Sequence, residues 1–251
     1  MISKARIKLI KSLEQRKQRN LQQLFVAEGP KLVGELLVTM KPSYIAAIPE
    51  WWNEHASLLN SPCETDTITT EELHKASLQR TPQQVIALFP IPQYKFDTTT
   101  AQHELCLALD GVQDPGNMGT ILRIADWFGI HNVVCSEDTV DIYNPKAVQA
   151  TMGALARVKV HYTDLAEMLS QCKTPIYGTL LDGNNIYEQE LGQNGFIVMG
   201  NEGKGLSQAI RNLVTQKLYI PNYPIGTQTT ESLNVAIATS IVCSEFRRRQ
   251  Q

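Results

Sequence analysis

Residues 105–129, LCLALDGVQDPGNMGTILRIADWFG, decide the fold class of this 251-residue chain. The apolar run 105–109 reads as a strand with both faces buried, since it has no polar alternation. Asp, Gln, Pro, Gly and Asn then make a loop, and Met118, Ile121, Leu122, Ala125 and Phe128 recur at the spacing of a helix packed along one face. Strand, polar loop and helix in that order form the opening of a βαβ unit. The loop stands at the C-terminal end of the strand, where α/β proteins bind ligands.

The same alternation continues downstream. Strands are predicted at 104–110, 132–136, 157–162, 175–181, 195–200 and 217–220, with helices at about 117–129, 144–154, 164–172, 205–213 and 232–249. This is the pattern of a parallel sheet covered on both faces. Upstream, residues 1 to about 40 read as helical, from the spacing of Ile7, Ile10, Leu13, Leu21, Leu24 and Phe25. Residues 43–90 mix short apolar runs with capped helix starts such as Thr69-Thr70-Glu71-Glu72, and suggest a smaller α/β domain. Between the two, PIPQYKFDTTTA at 90–101 has no period of either kind and reads as a linker.

Composition excludes some classes. Apolar residues make up 43% and charged residues 19%, as in ordinary globular proteins. The net charge of −2 gives no global field toward nucleic acid, so any such contact must come from local patches. One patch is Lys4, Arg6, Lys8, Lys11, Arg16, Lys17 and Arg19, opposed only by Glu14; the last helix ends in Arg247, Arg248 and Arg249. No secretory or membrane-spanning run is evident. The five cysteines are scattered without a CxxC pair, which argues for reduced thiols, no structural zinc and a cytoplasmic setting.

Three segments carry the chemistry. In the first, Asn117 and Arg123 suit phosphate or ribose, although they are about 240° apart around a helix and converge only if Asn117 belongs to the loop. The competing structural reading makes Asn117 a cap and pairs Arg123 with Asp126. The second, FIVMGNEGKGLS at 196–207, ends a strand in a glycine-rich turn. Its spacing fits neither a Walker loop nor GxGxxG, which also weakens the case for a nucleotide-dependent oxidoreductase. The third, LYIPNYPIGTQTTESLNVAIA at 218–238, places Ser232 as a helix cap and opens the final helix. All three lie at C-terminal ends of predicted parallel strands.

Together, DPGNMGTILRIADWFG, MGNEGKGLS and IPNYPIGTQTTESLNVAIA resemble motifs 1, 2 and 3 of the SpoU (TrmH-like) RNA ribose 2′-O-methyltransferases of the SPOUT superfamily. RKQRNLQQLFVAEGPKLVGELL and LQRTPQQVIAL are more loosely similar to the family's L30e-like RNA-binding domain. The resemblance implies an N-terminal domain over 1–92, a linker over 93–102 and a methyltransferase domain over 103–251 with a deep trefoil knot. It implies S-adenosylmethionine as cofactor and a homodimer whose subunits jointly shape the pocket. RNA would be the partner, rRNA first and tRNA as the alternative, with no DNA, membrane or metal. Arg123, Asn117, Glu202, Ser232 and Asn234 match the reaction centre. Leu180, Gly200, Asn201, Ile220, Leu233 and Asn234 match the cofactor site. Lys8, Lys11, Arg16, Lys17 and Arg19 fall to RNA binding. The insert YPIGTQTTE departs from the shorter family turn and borders the site. An inactive RNA-binding member of the same scaffold is the rival reading.

Overall fold

The computed structural model describes residues 1–55, 57, 62–224, 227, 230 and 232–249. The chain divides into two compact units, Met1–Gln93 with Asp141–Arg157, and Tyr94–Val140 with Val158–Gln251.

The first unit starts with α1 (Lys4–Ser12) and α2 (Arg16–Gln22), followed by β1 (Leu24–Glu28) and α3 (Pro30–Leu37). Next come β2 (Tyr44–Ala47), α4 (Pro49–His55), β3 (Glu64–Thr67), α5 (Thr70–Ala76) and β4 (Val85–Pro90). The sheet order is β1-β4-β2-β3, antiparallel except for β2 with β3. Residues 24–28 were expected to be helical and form a strand instead. Gln23 takes a left-handed conformation (φ 53°) that ends α2, and the apolar run behind it pairs with β4. Ile10, Leu13, Val26, Tyr44, Leu73 and Leu88 share this unit's core.

Residues 141–157 lie within the span assigned to the methyltransferase domain from sequence, yet pack in the first unit. The helix here, α7, spans Pro145–Ala150. Arg19, on α2, is 2% exposed; its Nε donates to Asp141 Oδ2 at 2.9 Å, and its Nη1 donates to the carbonyls of Leu13 and Glu14. Arg157 pairs with Glu35 at 2.8 Å, and Thr39 Oγ1 donates to the Ala156 carbonyl.

The second unit is a six-stranded, wholly parallel sheet in the order β10-β8-β9-β5-β6-β7. Its strands are β5 (Leu105–Asp110), β6 (Asn132–Ser136), β7 (Lys159–Thr163), β8 (Ile176–Asn185), β9 (Gly195–Gly200) and β10 (Gln216–Tyr219). Its helices are α6 (Pro115–Trp127), α8 (Leu165–Ser170), α9 (Gln208–Arg211) and α10 (Val235–Arg248). From β5 the chain runs outward to β6 and β7, then returns on the far side of β5 as β8 and β9. The order therefore reverses between β5 and β9. Part of the expected linker belongs to this unit, since Phe96 packs on Phe196 and residues 98–102 form a 3-10 turn. Among the described residues, no helix is long and apolar enough to cross a membrane.

Candidate active site where the strand order reverses

The point where strand order reverses is where open α/β sheets bind ligands, outside the carboxyl ends of the strands. Three loops meet there. The loop after β5 leads into α6, whose N-cap is Asp114: its carboxylate accepts from Asn117 N at 2.7 Å, and Pro115 occupies the first turn. Asn117 is therefore neither the cap nor a loop residue but part of the first helical turn, and its side chain is available for other contacts.

The loop after β9 closes on itself. Asn201 N donates to the Gly205 carbonyl at 3.0 Å and Gly205 N returns the bond at 2.9 Å. The Asn201 side chain fills the loop: Oδ1 accepts from Gly203 N and Lys204 N, both at 3.0 Å, and Nδ2 donates to the Gly111 carbonyl at 2.7 Å. Gly200 is required by space, because a Cβ there would stand 2.4 Å from the Gly205 carbonyl carbon. Asp110, buried at the end of β5, accepts from Ser207 N at 2.6 Å and ties the far end of this loop to the neighbouring strand.

This closure aims Glu202 at the start of α6. Its carboxylate accepts from Gln113 N (3.3 Å) and Asp114 N (3.4 Å), an anion at a helix N-terminus. It also accepts from Asn117 Nδ2 at 3.0 Å. An ionised carboxylate only accepts, so the Asn117 amide must turn its nitrogen to Glu202 and its oxygen away. That oxygen accepts from Asn234 Nδ2 at 2.9 Å. Asn234 in turn uses its own Oδ1 to cap α10, accepting from Ala236 N at 3.0 Å and Ile237 N at 3.2 Å. The final helix thus begins two residues later than expected, with Asn234 rather than Ser232 as its cap. A single chain of hydrogen bonds, Glu202–Asn117–Asn234, joins all three loops.

The remaining predicted residues sit around this chain or apart from it. Ser232 and Leu233 are exposed just before the α10 cap, and Ile220 is half-buried just past β10. Leu180 is buried in β8 within the core that holds Val198 and Leu206. Residues 225, 226, 228, 229 and 231 of the long insert lie outside the described residues. Arg123 is exposed on α6 and makes no side-chain hydrogen bond or ion pair among the described residues; the structure does not bring it to Asn117. Of the basic residues, Lys8, Arg16 and Lys17 are exposed, and exposed Lys11 donates to the Ser77 carbonyl. Arg19 is a correction: its guanidinium is buried and committed to Asp141 and two carbonyls, so it cannot grip a phosphate. The C-terminal arginines are also engaged, Arg247 with the Phe128 carbonyl and Arg248 and Arg249 with Glu245.

Sequence reasoning missed Asp110, Gln113 and Asp114. A carboxylate ending a wholly apolar strand was the available signal for Asp110, and Asp before Pro at a helix start was the signal for Asp114 as cap; the backbone N–H groups that Gln113 and Asp114 offer to Glu202 are revealed by no side-chain motif. All five cysteines are free, and the described residues contain no cluster able to hold a metal.

Residues 104–244 match the SpoU rRNA Methylase family, and residues 4–87 match the MRM3-like substrate binding domain. The chain is 30% identical over 250 residues to the 23S rRNA (guanosine(2553)-2′-O)-methyltransferase RlmP of Bacillus subtilis, covering 96% of each chain. It superimposes on a TrmH-family protein from Porphyromonas gingivalis with TM-score 0.89 and 39% identity over 99% of each chain. On an AdoMet-bound rRNA methyltransferase from Sinorhizobium meliloti the TM-score is 0.86 at 25% identity, covering 100% of this chain and 97% of that one. With the family's domain spanning more than half of its length and the three loops assembled at the switch point, the chain belongs to the SpoU rRNA methylase family.

Proposed function

We propose that this protein methylates a ribose 2′-hydroxyl of ribosomal RNA with S-adenosylmethionine as donor. The observation that carries the reading is the Glu202–Asn117–Asn234 chain, which joins the three motif segments where the strand order reverses. The RlmP relative, alike along nearly its whole length, supports rRNA over tRNA. A cytoplasmic location suits that substrate and the bacterial RlmP relative.

The residues present fit the cofactor. The turn after Gly200 leaves no room for a Cβ, and Leu233, 48% exposed, offers an apolar surface beside the backbone of the third loop. Gly200, Ile220 and Leu233 would hold S-adenosylmethionine, with Leu180 shaping the floor and Asn201 acting through the loop it closes. When bound, the cofactor supplies an electrophilic methyl whose departure needs no acid from the protein. The chain must then hold the ribose and ease loss of the 2′-proton. A guanidinium offers N–H donors and no acceptor. The role of Arg123 is to grip the adjoining phosphate and stabilise the developing alkoxide rather than to act as base. Asn117 and Asn234 orient the polar groups, Glu202 holds Asn117, and Ser232 contributes a hydroxyl at the rim.

Arg123 and Asn117 face different ways on α6, which is accommodated by a homodimer in which Arg123 serves the partner's pocket. The apolar surface left on α6 and α10 supports this: Trp127 is 85% exposed and Ile237 is also exposed. The packing of α10 on α6 is compatible with the trefoil knot that the family resemblance implies. Lys8, Lys11, Arg16 and Lys17 give the N-terminal helices phosphate contacts. The test is to incubate the purified protein with labelled S-adenosylmethionine and unmodified rRNA, then identify the product nucleoside by mass spectrometry. A 2′-O-methyl nucleoside is expected; label on a base, or none, overturns the reading.

A further inference from the structure

Within the unit formed by Met1–Gln93 and Asp141–Arg157, a cavity of about 450 Å³ is lined by Val26, Glu28, Gln79, Arg80, Lys146 and Gln149. None of these residues belongs to the three loops of the candidate active site. The volume falls in the range of small-molecule sites. Its wall is rigidly built. The buried Glu28 carboxylate accepts from Leu78 N at 2.9 Å and from Ser77 Oγ, and Ser77 Oγ accepts from Gln79 N at 2.9 Å. Those bonds fix the segment that carries Gln79 and Arg80.

Gln79 Nε2 donates to Gln149 Oε1 at 2.9 Å. This leaves Gln79 Oε1, an acceptor, and Gln149 Nε2, a donor, without partners among the described residues, on adjoining amides. Arg80 and Lys146 are exposed and form no ion pair among the described residues. Adjoining donor and acceptor groups are what the edge of a nucleobase requires, and unpaired cations are what its phosphates require. Sequence-specific RNA recognition targets unpaired nucleotides whose edges are accessible.

We propose that this cavity receives one unpaired nucleotide of the RNA substrate, its base edge on Gln79 and Gln149 and its flanking phosphates on Arg80 and Lys146. The assignment rests on the reading of the protein as an RNA methyltransferase. It is tested by fluorescence anisotropy with the full chain and labelled hexaribonucleotides of A, C or U, without cofactor. At least one hexamer binds, with an affinity that falls as salt rises. Binding weakens at least tenfold in the Arg80→Glu/Lys146→Glu variant. It weakens roughly 5- to 150-fold in Gln149→Leu, the discrimination expected of a base-edge contact; Gln149→Asn serves if Gln149→Leu does not fold. Affinity for S-adenosylmethionine, read by calorimetry, is unchanged in all of them.

Unaltered binding by the variants, or no binding by the wild type, overturns the proposal. So does loss in the charge-reversal variant alone, which marks a nonspecific phosphate contact. Because no methyl transfer is read, failure of the catalytic assignment leaves these results interpretable on their own.

Discussion

Asn117 has two neighbours that demand opposite things of its amide: Glu202 needs a donor and Asn234 supplies one. Asn117→Asp replaces the donor with a second carboxylate facing Glu202. It should destabilise the protein by about 1–3 kcal/mol, and by more than Asn117→Ala at pH 8, because a repulsion is added to the lost bond. Urea denaturation of both variants at pH 8 checks the order; an equal or smaller loss in Asn117→Asp refutes the donor assignment. Arg123 gives the opposite expectation. Exposed and without a partner among the described residues, it can be removed at little cost to the fold. Arg123→Ala should lower turnover by about 10²–10³-fold, the scale of losing one group that stabilises developing charge, while S-adenosylmethionine affinity stays within about twofold. Turnover close to wild type would end its catalytic role. Both residues were visible in the sequence as candidates, but their relation was not. Whether Asn117 is a cap or a contact depends on Asp114 taking the cap, and Glu202 arrives from 85 positions further along the chain.

Among the elements, the strands of the parallel sheet were the most legible. Burial on both faces requires continuous apolar runs, so β5 and β9 stand out as LCLALD and GFIVMG. β1 was not legible as a strand, because Leu21, Leu24 and Phe25 satisfy a helical spacing by coincidence. What ends α2 is the left-handed conformation of Gln23, a residue type with no strong preference for it. The glycine-rich turn after β9 was recognisable as a ligand loop, but the sequence does not say which glycine is indispensable. Space decides it: in Gly200→Ala the new methyl meets main-chain atoms at 2.4 Å, and backbone cannot move aside as a flexible side chain can. The expected cost is roughly 1–3 kcal/mol of stability, with at least a tenfold loss of S-adenosylmethionine affinity by calorimetry. An alanine variant that binds the cofactor normally would show that the loop is softer than its packing implies.

For the whole molecule, the three-segment motif set identified the family, whereas the assignment of 141–157 to the first unit left no trace in sequence. Arg19 looked like one more member of a basic run because its partner, Asp141, lies 122 positions away. Arg19→Met should cost about 3–5 kcal/mol, the penalty of leaving one member of a buried pair alone, without reducing the salt dependence of RNA binding. Chemical denaturation and binding at two salt concentrations read both quantities, and a smaller salt slope would return Arg19 to the RNA-binding set. The shared pocket is tested by mixing. If Arg123 acts across a dimer, combining the inactive Arg123→Ala and Asn234→Ala chains restores activity, because each mixed dimer regains one intact site. Absence of recovery after subunit exchange places Arg123 within its own chain's site.

The contribution of residues 141–157 to the first unit also sets an order of events during synthesis. A chain emerges amino end first, and domains generally fold as they appear. Here residues 1–93 appear without their Arg157–Glu35 and Arg19–Asp141 partners, which follow only after 94–140, including β5, α6 and β6, have been made. The first unit is therefore begun early and completed late, and the nascent chain must leave the Arg19 guanidinium without its carboxylate partner until the second unit is already partly translated.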